Sequence, residues 1–424
     1  MLNRSEKSHS NIMAKLQGKD MPLAPFEFEH LASYTALKSP TPTIVIPGCP
    51  AKWNPAAERQ RLDRDGEDVR PNLPNTMEPL FRAISIEGNP MNQTHPFIVT
   101  DNCVLRRLLD CVSYYKRSLS GRGQSAYEEW TLDTEVSGGE TVVFRHFRGR
   151  RKDERPSYGR DISDGFGRNF EKANTVNTIE ESLEHQRIIR YRLGGVAIIA
   201  RYEADGFVED DSGPKEKKDS PADESVLPES APSLASAEMT TTSTGLRIQK
   251  DGQKVSPGSI IEMKTRTRVE SPYTIRTQAG SPCHFEEFAS QLWFSRVTNL
   301  VFATHSDGRF DPPQVEDVSE SLKEWQEGNK DILDRLACGL NRLSLILRYV
   351  PIFKGATITF KGKSLEIKGH EWIYWMLPRD LYGSIWDEDR MKAKECHGRK
   401  CFDDVKSVSI LYSQLFSLEP VTFR

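Results

Sequence analysis

The chain reads as an α+β protein in which mixed, twisted β-sheets are flanked by helices. Three observations predict this class. From Pro96 onward, short β-branched and aromatic runs alternate with segments whose leucines recur every three to four residues. Glycine pairs sit where antiparallel strands must turn: Gly194-Gly195 between Ile188–Arg192 and Val196–Tyr202, and Gly138-Gly139 between Trp130–Leu132 and Thr141–Phe144. The 424 residues, 37% of them hydrophobic, can bury a sizeable core.

The elements follow in order. Residues 1–25 are polar and read as a disordered tail. A Pro-rich stretch through Pro40, Pro42, Pro47, Pro50 and Pro55 holds one short strand at Thr43–Ile46, which turns at Pro47-Gly48. Residues 57–80 are polar and rich in Pro and Asn, the composition of a long surface loop. Phe97–Val99 reads as a strand, and Val104–Val112 as a short helix with Leu105, Leu108 and Leu109 on one face. Beyond the two hairpins lies residues 209–255, made of Ser, Pro, Glu, Lys and Thr with almost no aromatics. Such a segment cannot bury enough surface to offset its ordering entropy, so a disordered acidic insertion is expected there. It interrupts a single catalytic domain spanning 26–424. A helix at Phe285–Ser295, a strand at Asn299–Ala303, a long amphipathic helix from Leu322 to Leu347 and a hairpin within Ala356–Met376 complete the series.

The formal net charge is -3. Glu209–Gly245 carries nine acidic and three basic residues, which leaves the rest of the chain slightly basic. The one dense basic stretch, Arg145–Arg160, reads as a solvated loop, a nuclear-import patch or a phosphate-tracking rim. No apolar run approaches the roughly 20 residues of a membrane helix. Met1–Asn11 has no hydrophobic signal core, and seven scattered cysteines argue against a secreted disulfide framework. These features point to a soluble protein of the nucleus or cytoplasm, with no membrane partner. Cys396-His397 and Cys401 lack the fourth ligand a zinc site needs.

The chemistry concentrates in two acidic signatures at strand ends, Glu203-Ala204-Asp205 and Glu262-Met263-Lys264. Alternate residues of a strand share a face, so Glu203 projects with Asp205 and Glu262 with Lys264. If the two strands are neighbours in one sheet, three carboxylates and an ammonium converge. Crowded carboxylates call for a hard divalent cation, and a lysine beside them can stabilise a developing anion or orient water. Metal-assisted hydrolysis of a phosphodiester or pyrophosphate is the reaction such a set suits.

The ordered series Glu203-Ala-Asp205, Glu262-Met-Lys-Thr265, Phe288-Ala-Ser-Gln291-Leu-Trp293-Phe294, Asn299-Leu-Val-Phe-Ala303 and Asp307-Gly308 resembles the decapping exoribonuclease (DXO) family, a branch of the PD-(D/E)XK nuclease fold. The resemblance spans roughly Phe97 to Leu347. It implies a PD-(D/E)XK-like core and Mg2+ or Mn2+ held by Glu203, Asp205 and Glu262, with the Met263 carbonyl as a further ligand. Lys264 and Gln291, with Glu262, would be the catalytic residues that position water or the scissile phosphate. Gly167-Arg-Asn-Phe170-Glu171 matches a further family pattern that would add Glu171 as a metal ligand. The implied function is a metal-dependent hydrolase of RNA 5′ ends: decapping, 5′ pyrophosphohydrolysis or 5′-3′ exonuclease action. Two alternatives stand beside it: a catalytically weak member that binds another RNA-processing nuclease, and a PD-(D/E)XK nuclease acting on DNA. One departure bears on substrate choice: the family places an arginine just after the Phe97–Thr100 type of strand, and this chain has Asn102.

Overall fold

The computed structural model describes residues 28–66, 73, 75–88, 97–119, 129–138, 140–146, 165–209, 239–268, 285–349, 355–370, 376–386 and 407–418. The tail at 1–25, most of Arg145–Arg160, and Trp372, Trp375, Cys396, His397 and Cys401 lie outside them. The strands, in chain order, are β1 (Phe28–Leu37), β2 (Thr43–Gly48), β3 (Lys52–Trp53), β4 (Gln60–Arg61), β5 (Phe97–Asp101), β6 (Trp130–Ser137), β7 (Thr141–His146), β8 (Thr175–Val176), β9 (Ser182–Leu193) and β10 (Val196–Glu203). After them come β11 (Gly206–Phe207), β12 (Met239–Thr241), β13 (Arg247–Gly252), β14 (Ile260–Thr267), β15 (Asn299–Ser306), β16 (Arg309–Phe310), β17 (Glu316–Asp317), β18 (Gly355–Lys361), β19 (Ser364–Gly369) and β20 (Ser407–Leu411). The helices are α1 (Glu78–Ile86), α2 (Asn102–Leu119), α3 (Gly167–Ala173), α4 (Phe285–Ser295), α5 (Ser319–Gly328), α6 (Lys330–Tyr349), α7 (Arg379–Ile385) and α8 (Tyr412–Leu415).

The α+β class is observed, as two mixed sheets with helices against them. The larger runs β12-β13-β2-β1-β9-β10-β5-β7-β6-β18-β19-β20, and the smaller β4-β16-β15-β14-β11-β3-β8, with β17 beside β15. Both glycine-pair hairpins form, with Val196 opposite Leu193 and Ser137 opposite Thr141. Parallel pairs β10–β5 and β5–β7 make the sheet mixed. One face of the larger sheet buries Ile98, Ile198, Tyr202 and Leu132 under α2, α4, α5 and α6. Its other face buries Val99, Ile199 and Ile188 with Phe81 of α1 and Trp386 just after α7. A third core, Ile261, Met263, Val301, Phe166, Phe170 and Phe310, joins the smaller sheet to α3.

Four sequence expectations are corrected. The strand that ends at Glu203 and the strand that carries Glu262 are not neighbours: β10 lies in the larger sheet between β9 and β5, and β14 in the smaller one between β15 and β11. The chain changes sheet within Ala204-Asp205, and it is β11, directly after Asp205, that pairs with β14 (Gly206 opposite Ile261). The expected disordered insertion contains structure at its C-terminal end. There β13 runs parallel to β2 from Arg247/Thr43 to Gly252/Gly48 and buries Leu246 and Ile248; residues 210–238 lie outside the described set. The single amphipathic helix is two helices broken at Asn329, whose side-chain amide and backbone N–H both donate to Trp325 O (2.9 and 3.0 Å). The 57–80 segment is a loop only in part. It supplies β4, and from Glu78 the start of α1.

Candidate active site

The site forms where the two sheets meet. Glu203 ends β10, and Ala204 N–H donates to His185 O at 2.9 Å, keeping the chain on the larger sheet for one more residue. Asp205 then reaches the smaller sheet, where its Oδ2 accepts the Met263 N–H of β14 at 2.7 Å. On β14, Glu262 is 2% exposed. Its Oε1 accepts both the Lys264 ammonium and the Gln291 side-chain amide. Lys264 also donates to Met263 O (3.1 Å) and stands 4.0 Å from Asp205 Oδ2. Gln291 enters from α4, whose opposite face is anchored by Leu292 and Trp293 in the core.

Glu171 arrives on α3. That helix is seven residues long and its own N-cap, Phe166, offers no side-chain cap. Asp65, from the segment before it, takes that role: its Oδ2 accepts Arg168 N–H (3.2 Å) and its Oδ1 accepts Asn169 N–H (2.9 Å). Asn174 closes the other end, donating to Phe170 O and accepting from Ala56 N–H and the Gln60 amide.

The four carboxylates act on one another's protons. Burial first, then Lys264 in opposition and Glu262 in support, leaves Glu171 at about 7. Glu203 opens to solvent on one side, yet enough protein surrounds its carboxyl that burial, Glu184 and Glu171 push it up to about 8. Burial and the Glu262 charge hold Asp205 well above the usual carboxylate range. Burial opposes the Lys264 charge, but the Glu262 and Asp205 carboxylates outweigh it and hold the ammonium above its ordinary value.

The structure therefore bonds Asp205, Glu262, Lys264 and Gln291 into one group with the Met263 backbone within it, and Glu203 and Glu171 act on that group through their charge. It does not present a closed cage: among the described residues no three His, Cys, Asp or Glu side chains stand ready to hold a metal. Glu262 is engaged by Lys264 and Gln291, and Asp205 by Met263. By chemistry the donors fit a hard divalent cation, being all oxygen, with excess negative charge that a cation would neutralise. Glu203, Asp205, Glu262, Glu171 and the Met263 carbonyl are the groups that could hold it.

Sequence reasoning missed Arg106. Asn102 opens α2 and its Nδ2 donates to Gln291 O at 3.3 Å, while Arg106, one turn on, donates to Gln291 Oε1 at 3.0 Å. A guanidinium thus reaches the cluster from the next helical turn. The signal was the helical register that sets Asn102 and Arg106 on one face. Trp293 and Trp325 are buried against each other in the core.

A family model described as Domain of unknown function (DUF8563) matches residues 17–349. The chain belongs to this family. No curated protein matches this DUF8563 member by sequence. Among solved structures it is similar to Rai1 from Scheffersomyces stipitis in complex with (3'-NADP)+ and calcium, at 11% identity and a TM-score of 0.51, over 90% of this chain and 97% of that one. Candida albicans Rai1 in complex with pU5-Mn2+ is matched at 11% identity and a TM-score of 0.49, over 89% and 100% of the two chains. The S. stipitis likeness shows that this DUF8563 chain has the Rai1 fold.

Proposed function

We propose that this protein is a metal-dependent hydrolase of RNA 5′ ends, a nuclease or 5′ pyrophosphohydrolase using Mg2+ or Mn2+. The observation that carries the reading is the assembly of Asp205, Glu262, Lys264 and Gln291 at the sheet junction, with Glu203 and Glu171 beside it. The ions in the solved Rai1 complexes, manganese with pU5 and calcium with a dinucleotide, support the choice of metal and substrate. A bound divalent ion would polarise a phosphoryl oxygen and lower the pKa of water.

The chain's own residues do the rest. Lys264, kept cationic by Glu262 and Asp205, sets positive charge where a phosphoryl oxygen gains negative charge. Gln291, held at its carbonyl oxygen by Arg106, directs its amide N–H groups into the site. Whichever of Glu203 and Glu171 is left free of the metal can take a proton from water. We place the protein in the nucleus or cytoplasm, with RNA as its partner. The test offers triphosphate, monophosphate, capped and NAD-capped RNAs with Mn2+ or Mg2+ to wild type and to the D205A/E262A double variant. Turnover of at least one substrate that the double variant abolishes is expected. Turnover of none, with binding to a partner nuclease, would replace this reading with the non-catalytic one.

A further inference from the structure

The face of β14 that carries Glu262 and Lys264 continues as a row of arginines. Residues two apart on a strand share a face, so Arg266 follows Lys264. The parallel register sets Glu262, Lys264 and Arg266 beside Leu300, Phe302 and Thr304 of β15. Arg268 follows one residue beyond the strand, tied by its N–H to His305 O at 2.7 Å. On β15 the same face reaches Ser306, which pairs with Arg309 of β16, which in turn pairs with Arg61 of β4. Arg61, Arg268, Ser306 and Arg309 are all exposed.

Two details mark the row as more than a solvated edge. Arg61 and Arg309 are directly opposed like charges on antiparallel strands, an arrangement that costs stability. Asp311 accepts from Arg268 (2.8 Å) and from Arg59 (2.7 Å), so one carboxylate stands against two guanidiniums. Helix α4 meets the row at Arg266, through Glu287 and the Phe288 ring. Past that point Arg268 is paired with Asp311, and the face is open and basic at Arg309 and Arg61.

We propose that the row from Arg266 through Arg268 to Arg309 and Arg61 is a docking track for the sugar-phosphate backbone of a single-stranded nucleic acid whose 5′ end lies at the carboxylate cluster. The track rests on the proposed function for its starting point. Side chains two apart on β14 are about 6.6 Å apart, comparable with successive phosphates of an extended strand. The charges stand in single file, which suits one strand; a duplex presents two rows of phosphates. Arginine's planar fork is the cation matched to phosphate.

The test is fluorescence anisotropy in EDTA with 5′-monophosphorylated oligouridylates, one of about two and one of about twelve nucleotides, read across a salt series. For the R61A/R309A variant the longer oligomer should bind on the order of tenfold more weakly at 0.15 M salt, and its salt slope should flatten by about 1.4, from two lost phosphate contacts. Binding of the short one should be unchanged. R61Q/R309Q, which keeps a polar pair in place and should melt at or above the wild-type temperature, should repeat the loss. The deoxy oligomer should lose affinity equally, since the backbone is what is read. An unchanged slope, an equal loss for the short oligomer, or competition by polyglutamate as strong as by RNA would overturn the proposal. Arginine-dependent binding without turnover of any RNA would leave the track standing and remove the proposed activity. Turnover with full affinity of R61A/R309A would do the reverse.

Discussion

Asp65→Ala should loosen the active site from a distance. Asp65 is 6% exposed and accepts the first-turn N–H groups of Arg168 and Asn169. The α3 helix has no side-chain cap of its own. Losing an N-cap costs about 1 kcal/mol, and the bonds lost here go to a buried charge, so about 2 kcal/mol is the expected stability cost. For a chain of this size that is a fall in Tm of about 2 °C. Freed at its N-terminus, α3 would no longer fix Glu171. Outer partners that orient a metal ligand are worth about 10- to 100-fold in affinity, and Mn2+ binding should weaken on that scale. Asp65→Asn keeps one acceptor oxygen and should lose about half as much stability. Differential scanning calorimetry gives Tm, and isothermal titration calorimetry with Mn2+ gives affinity. Asp311→Ala, which breaks only exposed ion pairs of the neighbouring segment, is the control and should leave Mn2+ affinity unchanged. Should Asp65→Ala melt early yet bind Mn2+ as wild type does, Asp65 does not position Glu171 for the metal.

Other outcomes follow from the same structure. Asp205→Asn should abolish turnover while leaving Tm equal or higher in EDTA, because it removes one of four repelling carboxyls; a collapsed Tm would mean that Asp205 is needed for the fold. Replacing residues 210–238 by a short Gly-Ser linker should leave Tm nearly unchanged. Extending the replacement to Val255 removes Leu246 and Ile248 from the core, at about 1.5–3 kcal/mol each, and equal melting of the two deletions would contradict the pairing of β13 with β2. Acid should destabilise the protein through two histidines. Burial and Arg187 lower His30 to about 3 and hold His185 well below its ordinary value. Both are depressed below the unfolded value near 6.5, so their contribution is complete above pH 6.5 and is lost as pH falls from there toward 3. Because the raised carboxyls of Glu171, Glu203 and Asp205 act in the opposite direction over this range, the histidine share is read as the difference in urea midpoints between wild type and H30N from pH 7 to 4, which should narrow as pH falls.

Local pattern carried much of this molecule. Two glycine pairs fixed two hairpins, and leucine spacing found α2 and α6. The acidic signatures named Asp205, Glu262 and Lys264, and the family resemblance named Gln291; the structure bonds these four into one group. What pattern could not show was which sheet each strand would join. Period-two alternation reports that a strand has two faces, and says nothing about its neighbours; hence β10 and β14 were expected side by side and lie in different sheets. Composition misled at β13, whose Arg-Ile-Gln-Lys-Asp-Gly hides one buried isoleucine among polar residues. The break at Asn329 was masked because the leucine period continues across it. Asp65 and Arg106 escaped for a third reason: each matters through a partner more than 100 positions away in sequence.

The change of sheet at Ala204 divides the residues of the candidate site between two stretches of chain. Glu171, Glu203 and Asp205 precede residue 210; Glu262, Lys264 and Gln291 follow residue 238. Neither stretch holds both the anionic pocket and the ammonium that balances it. The site therefore exists only when the later stretch has threaded β13 in beside β2 and β14 beside β11. The candidate site is therefore a product of the completed fold, its members meeting only when the two stretches pack together.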